Sequence, residues 1–232
     1  LAKTLKVTVD ELFGLKKRKE DEIICQVHCN MALAIQLVIE DIIIKMVKET
    51  KKLTNLNNIC LAGGVALNCV ANGKIADLGI FKNIYIQPAS GDAGGAIGCA
   101  LAVYHMHYNK KRLYNNDYDL MKGSYLGPYF SEKEIMIINK KYKANYEKFE
   151  CFENLSKYVA KIISKGNVVG WFQGRSEFGP RALGNRSILA DPRNPKMQKK
   201  LNLKIKFRES FRPFAPSILE EDFDRVFKSK IK

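Results

Sequence analysis

Between Gly174 and Pro216 the chain carries Arg175, Arg181, Arg186, Arg193, Arg208 and Arg212, with Lys206 among them. They stand among glycines and prolines, in Gly-Arg-Ser-Glu-Phe-Gly-Pro-Arg-Ala-Leu-Gly-Asn-Arg-Ser and again in Lys-Phe-Arg-Glu-Ser-Phe-Arg-Pro-Phe-Ala-Pro. A surface that needs only solubility scatters lysines. A site that grips phosphate oxygens from several sides uses planar, permanently charged guanidinium groups on a shaped backbone. Arg181 follows Pro180, and Arg212 precedes Pro213, which biases Arg212 toward an extended conformation. Cations placed rigidly lose less entropy on gripping a polyanion. The cluster reads as an anion pocket for a phosphate or a nucleotide, with Arg181, Arg186, Lys206 and Arg212 its strongest members. Any single arginine could instead pair with Glu177, Asp191 or Glu209, and Glu177 or Glu209 could orient an arginine or contact a ribose.

Two glycine turns supply the other candidates. Ile59-Cys60-Leu61-Ala62 is a short apolar strand running into Gly63-Gly64, followed by helix-like residues from Val65 to about Ile75. Strand, glycine pair and helix start form a phosphate-binding geometry, with free N–H groups at the helix start facing the ligand. Asn68 falls in the first turn of that helix, where it either faces a nucleotide or caps and packs. In Ser90-Gly91-Asp92-Ala93-Gly94-Gly95 the carboxylate of Asp92 stands at a strand end. There it binds a metal ion or a ribose hydroxyl, or it caps the following helix; spacing alone does not choose. His28, His105 and His107 make no metal set by spacing, and His28 reads as a satisfied histidine on a buried helix. No Ser-His-Asp or Cys-His arrangement stands out.

The elements that must position these groups follow from periodicity. Residues 1–24 are polar, a peripheral helix or loop. Apolar residues at three- and four-residue intervals predict a long, largely buried helix from Val27 to about Lys52. Strands are expected at 59–62, at Ile84-Tyr85-Ile86 before Pro88, at Val168 to Phe172 and at Ile188-Leu189. Helices are expected over about 96–105, 155–164 (ended by Gly166) and 197–205. Strand, turn and helix repeated twice imply an α/β layer. The polar, basic stretch 108–124 looks like a connection between two halves.

The chain has 232 residues, room for one large domain or two small ones. Its net charge of +15 invites a nucleic-acid reading. Much of the excess is lysine in surface-like runs, Lys16 to Lys19, Lys110 to Arg112 and Lys228 to Lys232, which reads as solvated charge. Cys25, Cys29, Cys60, Cys69, Cys99 and Cys151 form no CxxC pair and read as small buried hydrophobes in a reducing compartment. No signal peptide is apparent and no run of about 18 uninterrupted apolar residues occurs, so a cytoplasmic setting without a membrane is the expectation.

Gly-Gly-Val-Ala-Leu-Asn-Cys at 63–69, Gln-Pro-Ala-Ser-Gly-Asp-Ala-Gly at 87–94 and the whole of 171–219 resemble the carbamoyltransferase family, which includes nodulation-factor, tobramycin and cephalosporin carbamoyltransferases. The resemblance covers most of residues 25–230. It implies an α/β fold in two modules: the C-terminal lobe of an actin/Hsp70-like (ASKHA) domain over 1–107, a linker over 108–124, and a partial YrdC-like α/β domain over 125–232. It implies that the second module makes carbamoyl adenylate from carbamoyl phosphate and ATP and releases pyrophosphate. The first module, which holds Fe(2+), then passes the carbamoyl group to the hydroxyl of a small-molecule acceptor. On this reading Arg181, Lys206 and Arg212 are catalytic, and Gly63, Gly64, Asn68, Arg175, Arg186, Ser187 and Arg208 bind substrate or nucleotide. Asp92 is the iron-ligand aspartate, and Mg(2+) is a further candidate cation.

The departures from the family matter equally. Its members are more than twice this length, and the His-x-x-x-His iron ligands and much of the acceptor site lie in a part this chain lacks. The end of the second module also looks absent. The expectation is a fragment, or one subunit of a split enzyme, that does not carry out acceptor transfer alone. A threonylcarbamoyl-type tRNA enzyme and a non-catalytic nucleotide-binding module are the alternatives; nucleic acid is not the expected partner.

Overall fold

The computed structural model describes residues 6–16, 18–19, 22–113 and 119–227. Lys17, residues 114–118 of the expected connection and the lysine-rich run 228–232 lie outside the described residues. The architecture is mixed α/β, built on two small sheets.

In the first half, helix α1 (Val9–Phe13) precedes the 29-residue helix α2 (Gln26–Thr54). Strand β1 (Asn58–Leu61) pairs in parallel with β2 (Asn83–Ile86), with Ile59 opposite Ile84. Between them run a 3-10 turn (Gly64–Leu67) and helix α3 (Cys69–Leu78). A parallel pair needs such a crossover, so strand, helix and strand form one unit. Val47 of α2, Ile59 of β1, Ile75 of α3 and Phe81 form its core. Helix α2 ends at Asn55, which takes a left-handed conformation and donates its N–H to the Lys51 carbonyl. Helix α4 (Gly94–Ala102) follows β2 and continues as a π turn over Val103–His107.

In the second half, α5 (Glu132–Tyr142) and α6 (Phe152–Ser164) lead to β3 (Val169–Phe172), which pairs antiparallel with β4 (Arg186–Leu189). Trp171 of β3 meets the edge of Phe152 at a ring separation of 6.1 Å. Helix α7 (Met197–Lys204) buries Met197, Leu201 and Asn202, and the short α8 (Phe223–Val226) comes last. The expected strands and helices lie within a few residues of these elements. Helix α5 was not expected, although Ser131 and Glu134 form a complete capping box at its start.

Three expectations are corrected. Helix α2 is not largely buried: Glu40 and Val47 are its buried residues, while Leu33, Ile35, Leu37, Val38, Ile42 and Met46 are exposed. Periodicity shows that a face is apolar, but whether anything covers it is a tertiary fact. The six cysteines are all free and exposed rather than buried, because the faces that carry them turn outward. His28 is no core residue: at the start of α2 its Nδ1 accepts the Cys25 N–H at 3.1 Å, closing the helix end. Helix α2 is also long and apolar enough to cross a membrane by length and composition, although Glu40 and Asp41 interrupt its apolar run. In the fold it is tied to α3: Lys74 bridges to the buried Glu40, and Gln36 bonds Asn68.

Candidate functional site

The candidate residues gather around the turn after β2. Gly63 adopts φ +96°, ψ 157°, a conformation that suits glycine, and donates its N–H to the Ser90 carbonyl at 2.8 Å. A Cβ on Gly94 would stand 2.3 Å from the Ala89 carbonyl oxygen, so the start of α4 also presses on this turn. Gly179, from the arginine-bearing loop, meets it from the other half of the chain: a Cβ there would lie 2.6 Å from the Pro88 oxygen. Both glycine turns and the arginine loop therefore meet at residues 88–90.

The first glycine turn differs in detail from its expected form. The α-helix begins at Cys69, not Val65, and Asn68 caps it by accepting the Ala71 N–H at 3.1 Å. The Asn68 amide also donates to Gln36 Oε1 at 2.9 Å. Both polar atoms of Asn68 are thus used within the fold. The N–H groups of Gly64 and Val65 open the 3-10 turn and have no acceptor among the described residues. Asp92 does not cap α4, whose N-cap is Ala93 without a side-chain bond. Its exposed carboxylate has no partner among the described residues.

Glu177 organises the arginine loop. It is 5% exposed, and its Oε1 accepts the N–H groups of Leu183 and Asn185 at 2.8 Å and of Arg186 at 3.1 Å. Burial pushes this carboxyl up, and the three backbone N–H groups outweigh it, so the net shift is downward and Glu177 is ionised at neutral pH. Sequence reasoning weighed Glu177 as the partner of an arginine, whereas the structure pairs it with the backbone. The loop is anchored further by Phe178 N–H to the Ser124 carbonyl at 2.7 Å, Tyr125 Oη to the Leu183 carbonyl at 2.8 Å, and Arg175 Nη1 to the Gly127 carbonyl at 2.8 Å. Arg186 and Ser187 continue it into β4, opposite Phe172 and Trp171.

A second group of candidates is organised by Asn202, which is 0% exposed. Its amide donates to the carbonyls of Ser210 at 3.0 Å and Arg212 at 2.8 Å, and its Oδ1 accepts Arg208 Nε at 2.7 Å. The Arg208 guanidinium lies 4.9 Å from the Phe214 ring centroid, and Arg212 Nε donates to Glu209 at 2.8 Å. Sequence reasoning missed Asn202; its only signal was a polar residue on the apolar side of a short helix.

The cations therefore divide. Arg193 grips Asp191, drawing that carboxyl down to about 2. Arg175, Arg208 and Arg212 are also engaged. Arg181, Arg186 and Lys206 are exposed and have no side-chain partner among the described residues. No hydrogen bond among those residues joins the Glu177 loop to the Asn202 group. Two hollows, of about 590 and 470 Å³, lie elsewhere, along α5 and the entry to α6.

Asp92 supplies one oxygen donor. Among the described residues no group of three His, Cys, Asp or Glu side chains could hold a metal ion, so the described residues alone do not fit the implied iron.

Residues 2–101 match the family model for the carbamoyltransferase N-terminus, and residues 160–232 match that for the carbamoyltransferase C-terminus. The uncharacterized protein sll1178 of Synechocystis is 51% identical over 94% of this chain and 35% of its own length. Nodulation protein NolO of Bradyrhizobium diazoefficiens is 37% identical over 94% of this chain and 39% of its own. Nodulation protein NolNO of Sinorhizobium fredii is 37% identical over 94% of this chain and 31% of its own. The chain spans about a third of the length of these curated relatives. With both of the family's models matched in order along it, the chain belongs to the carbamoyltransferase family.

Proposed function

We propose that this chain supplies the carbamoyl-adenylate-forming part of an O-carbamoyltransferase. The observation that carries the reading is the set of cations without side-chain partners among the described residues, Arg181, Arg186 and Lys206, in a chain of this family. Arginine held on a fixed backbone suits the several negative charges of carbamoyl phosphate and ATP. Atoms balance when carbamoyl phosphate loses its phosphoryl group to water as phosphate. The freed carbamate oxygen then attacks the α-phosphorus of ATP, and pyrophosphate leaves. Arg181, Lys206 and Arg212 are assigned to charge neutralisation in that attack, with Arg175, Arg186, Ser187 and Arg208 shaping the pocket.

Residues 125–232 are read as the YrdC-like module and 1–107 as the ASKHA lobe, with Gly63 and Gly64 facing the nucleotide and Asn68 holding their turn in place. Asp92 is offered as one ligand of Fe(2+) whose other ligands come from outside this chain; no step above runs through iron or Mg(2+). Transfer to a small-molecule hydroxyl then needs the rest of a full-length protein or a complementary subunit. The cytoplasm, where ATP and carbamoyl phosphate are made, is the assigned setting.

The test is carbamoyl-phosphate-dependent exchange of labelled pyrophosphate into ATP, by this chain and by Arg181→Ala. Exchange that requires carbamoyl phosphate and disappears in the variant supports the reading. Retained ATP binding without exchange, in this chain and in a full-length relative alike, overturns it in favour of a nucleotide-binding module.

A further inference from the structure

Helix α2 reaches the first glycine turn through one side chain. Gln36 and Asn68 face each other as a reciprocal amide pair. Asn68 Nδ2 donates to Gln36 Oε1 at 2.9 Å, and Gln36 Nε2 donates to Asn68 Oδ1 at 3.1 Å. The same Gln36 Nε2 donates to Oε1 of Glu40, one helical turn on, at 2.7 Å. Glu40 is buried and paired with Lys74 of α3. An ionised carboxylate only accepts, so it fixes which end of the Gln36 amide faces it. Gln36 in turn fixes the Asn68 amide, leaving Oδ1 to accept the Ala71 N–H at 3.1 Å and cap α3. Turned the other way, Asn68 would set its own amide hydrogens against that N–H, and the cap would be lost. Asn68 also closes the turn itself, donating its backbone N–H to the Val65 carbonyl at 2.9 Å. The direction set at Glu40 passes through Gln36 to the residue that ends the Gly64–Leu67 turn.

We propose that Gln36 is a positioning residue for the Gly63-Gly64 turn. It locks Asn68 so that the Gly64 and Val65 N–H groups are presented in one arrangement to a nucleotide phosphate. This rests on the reading of that turn as nucleotide-facing, and it adds the side chain that holds the turn. Gln36 touches no ligand; it acts through Asn68. Donors fixed beforehand bind an anion better than donors that must be ordered on binding, and a supporting side chain supplies that order.

Gln36→Met keeps the length of the side chain and removes both amide bonds. Calorimetric titration with ATP, joined to the amide resonances of Gly64, Val65 and Ala71, tests the proposal. In the unsubstituted chain ATP should shift the Gly64 and Val65 resonances. In folded Gln36→Met the Ala71 resonance should already differ before ATP is added, and ATP affinity should fall about 10-fold, the size of one lost buried hydrogen bond. A role confined to stability would lower the urea midpoint and leave the ATP affinity of the folded variant alone. Affinity within about twofold of the unsubstituted chain, with Gly64 and Val65 still responding, overturns the proposal. If the variant fails to fold, the side-chain amide resonances of Gln36 in the unsubstituted chain decide. They should move together with Gly64 and Val65 on ATP binding, and a Gln36 amide that stays still while Gly64 and Val65 shift overturns the proposal. An unsubstituted chain in which ATP moves neither Gly64 nor Val65 removes the nucleotide reading of the turn and this inference with it.

Discussion

Gly179 lies against Pro88: a Cβ added to Gly179 would stand 2.6 Å from the Pro88 carbonyl oxygen. The two residues are far apart in sequence, one on the arginine loop and one on the turn after β2. Their contact brings the two motif regions together.

Gly179→Ala should therefore be strongly destabilising. Gly179 has φ +121°, where a side chain is strained, and the atoms facing it are backbone that cannot swing aside. The cost should be about 2 kcal/mol or more, seen as a lowered urea midpoint. Gly170→Ala is the control, since a Cβ there meets nothing within 4 Å and its φ is ordinary, and it should be close to neutral.

Arg181 and Arg193 should separate function from stability. Arg181→Ala removes a cation without a side-chain partner among the described residues and should leave the unfolding free energy in urea within about 0.5 kcal/mol while weakening anion binding. Arg193→Ala should lower stability at neutral pH, because it strips the guanidinium from the buried Asp191 carboxylate. The Arg193 side chain holds the Asp191 carboxyl at about 2, below the ordinary 3.8. A depressed carboxyl contributes stability that is full above its unfolded value and is lost as pH falls toward the folded one. The gap between the two midpoints should be constant from pH 7 to 5 and close between about pH 4 and 2.

Asn202→Leu should cost about 2–3 kcal/mol despite its similar volume, because two carbonyls and the Arg208 Nε lose their partner at once. Hydrogen exchange should rise across 206–212, the segment that Asn202 holds against α7.

Val47→Ala and Val38→Ala should behave oppositely on one helix. Val47 is 3% exposed and packs in the core, so its truncation should cost about 1–3 kcal/mol by chemical denaturation. Val38 is 58% exposed and should cost less than about 0.5 kcal/mol in this chain.

The sequence by itself determined the local elements and the kind of chemistry. Two short apolar runs, Ile59 to Ala62 and Ile84 to Ile86, each followed by a glycine turn, became β1 and β2, because short apolar runs bounded by glycine or proline have few alternatives. The density of arginine between Gly174 and Pro216 made an anion the expected ligand, since charge is a property of composition. The capping box of Ser131 and Glu134 also marks the start of α5 in the sequence. Tertiary structure decided which arginines are available. Arg193 and Arg212 are held by nearby carboxylates, whereas Glu177 turns from the guanidinium groups to three backbone N–H groups. It also decided that α2 shows most of its apolar residues to the outside, and that Gly179 closes on Pro88. Periodicity and spacing report what a residue is and which face it shares. Partners across ninety residues of chain are fixed only when packing chooses among competing contacts of similar strength.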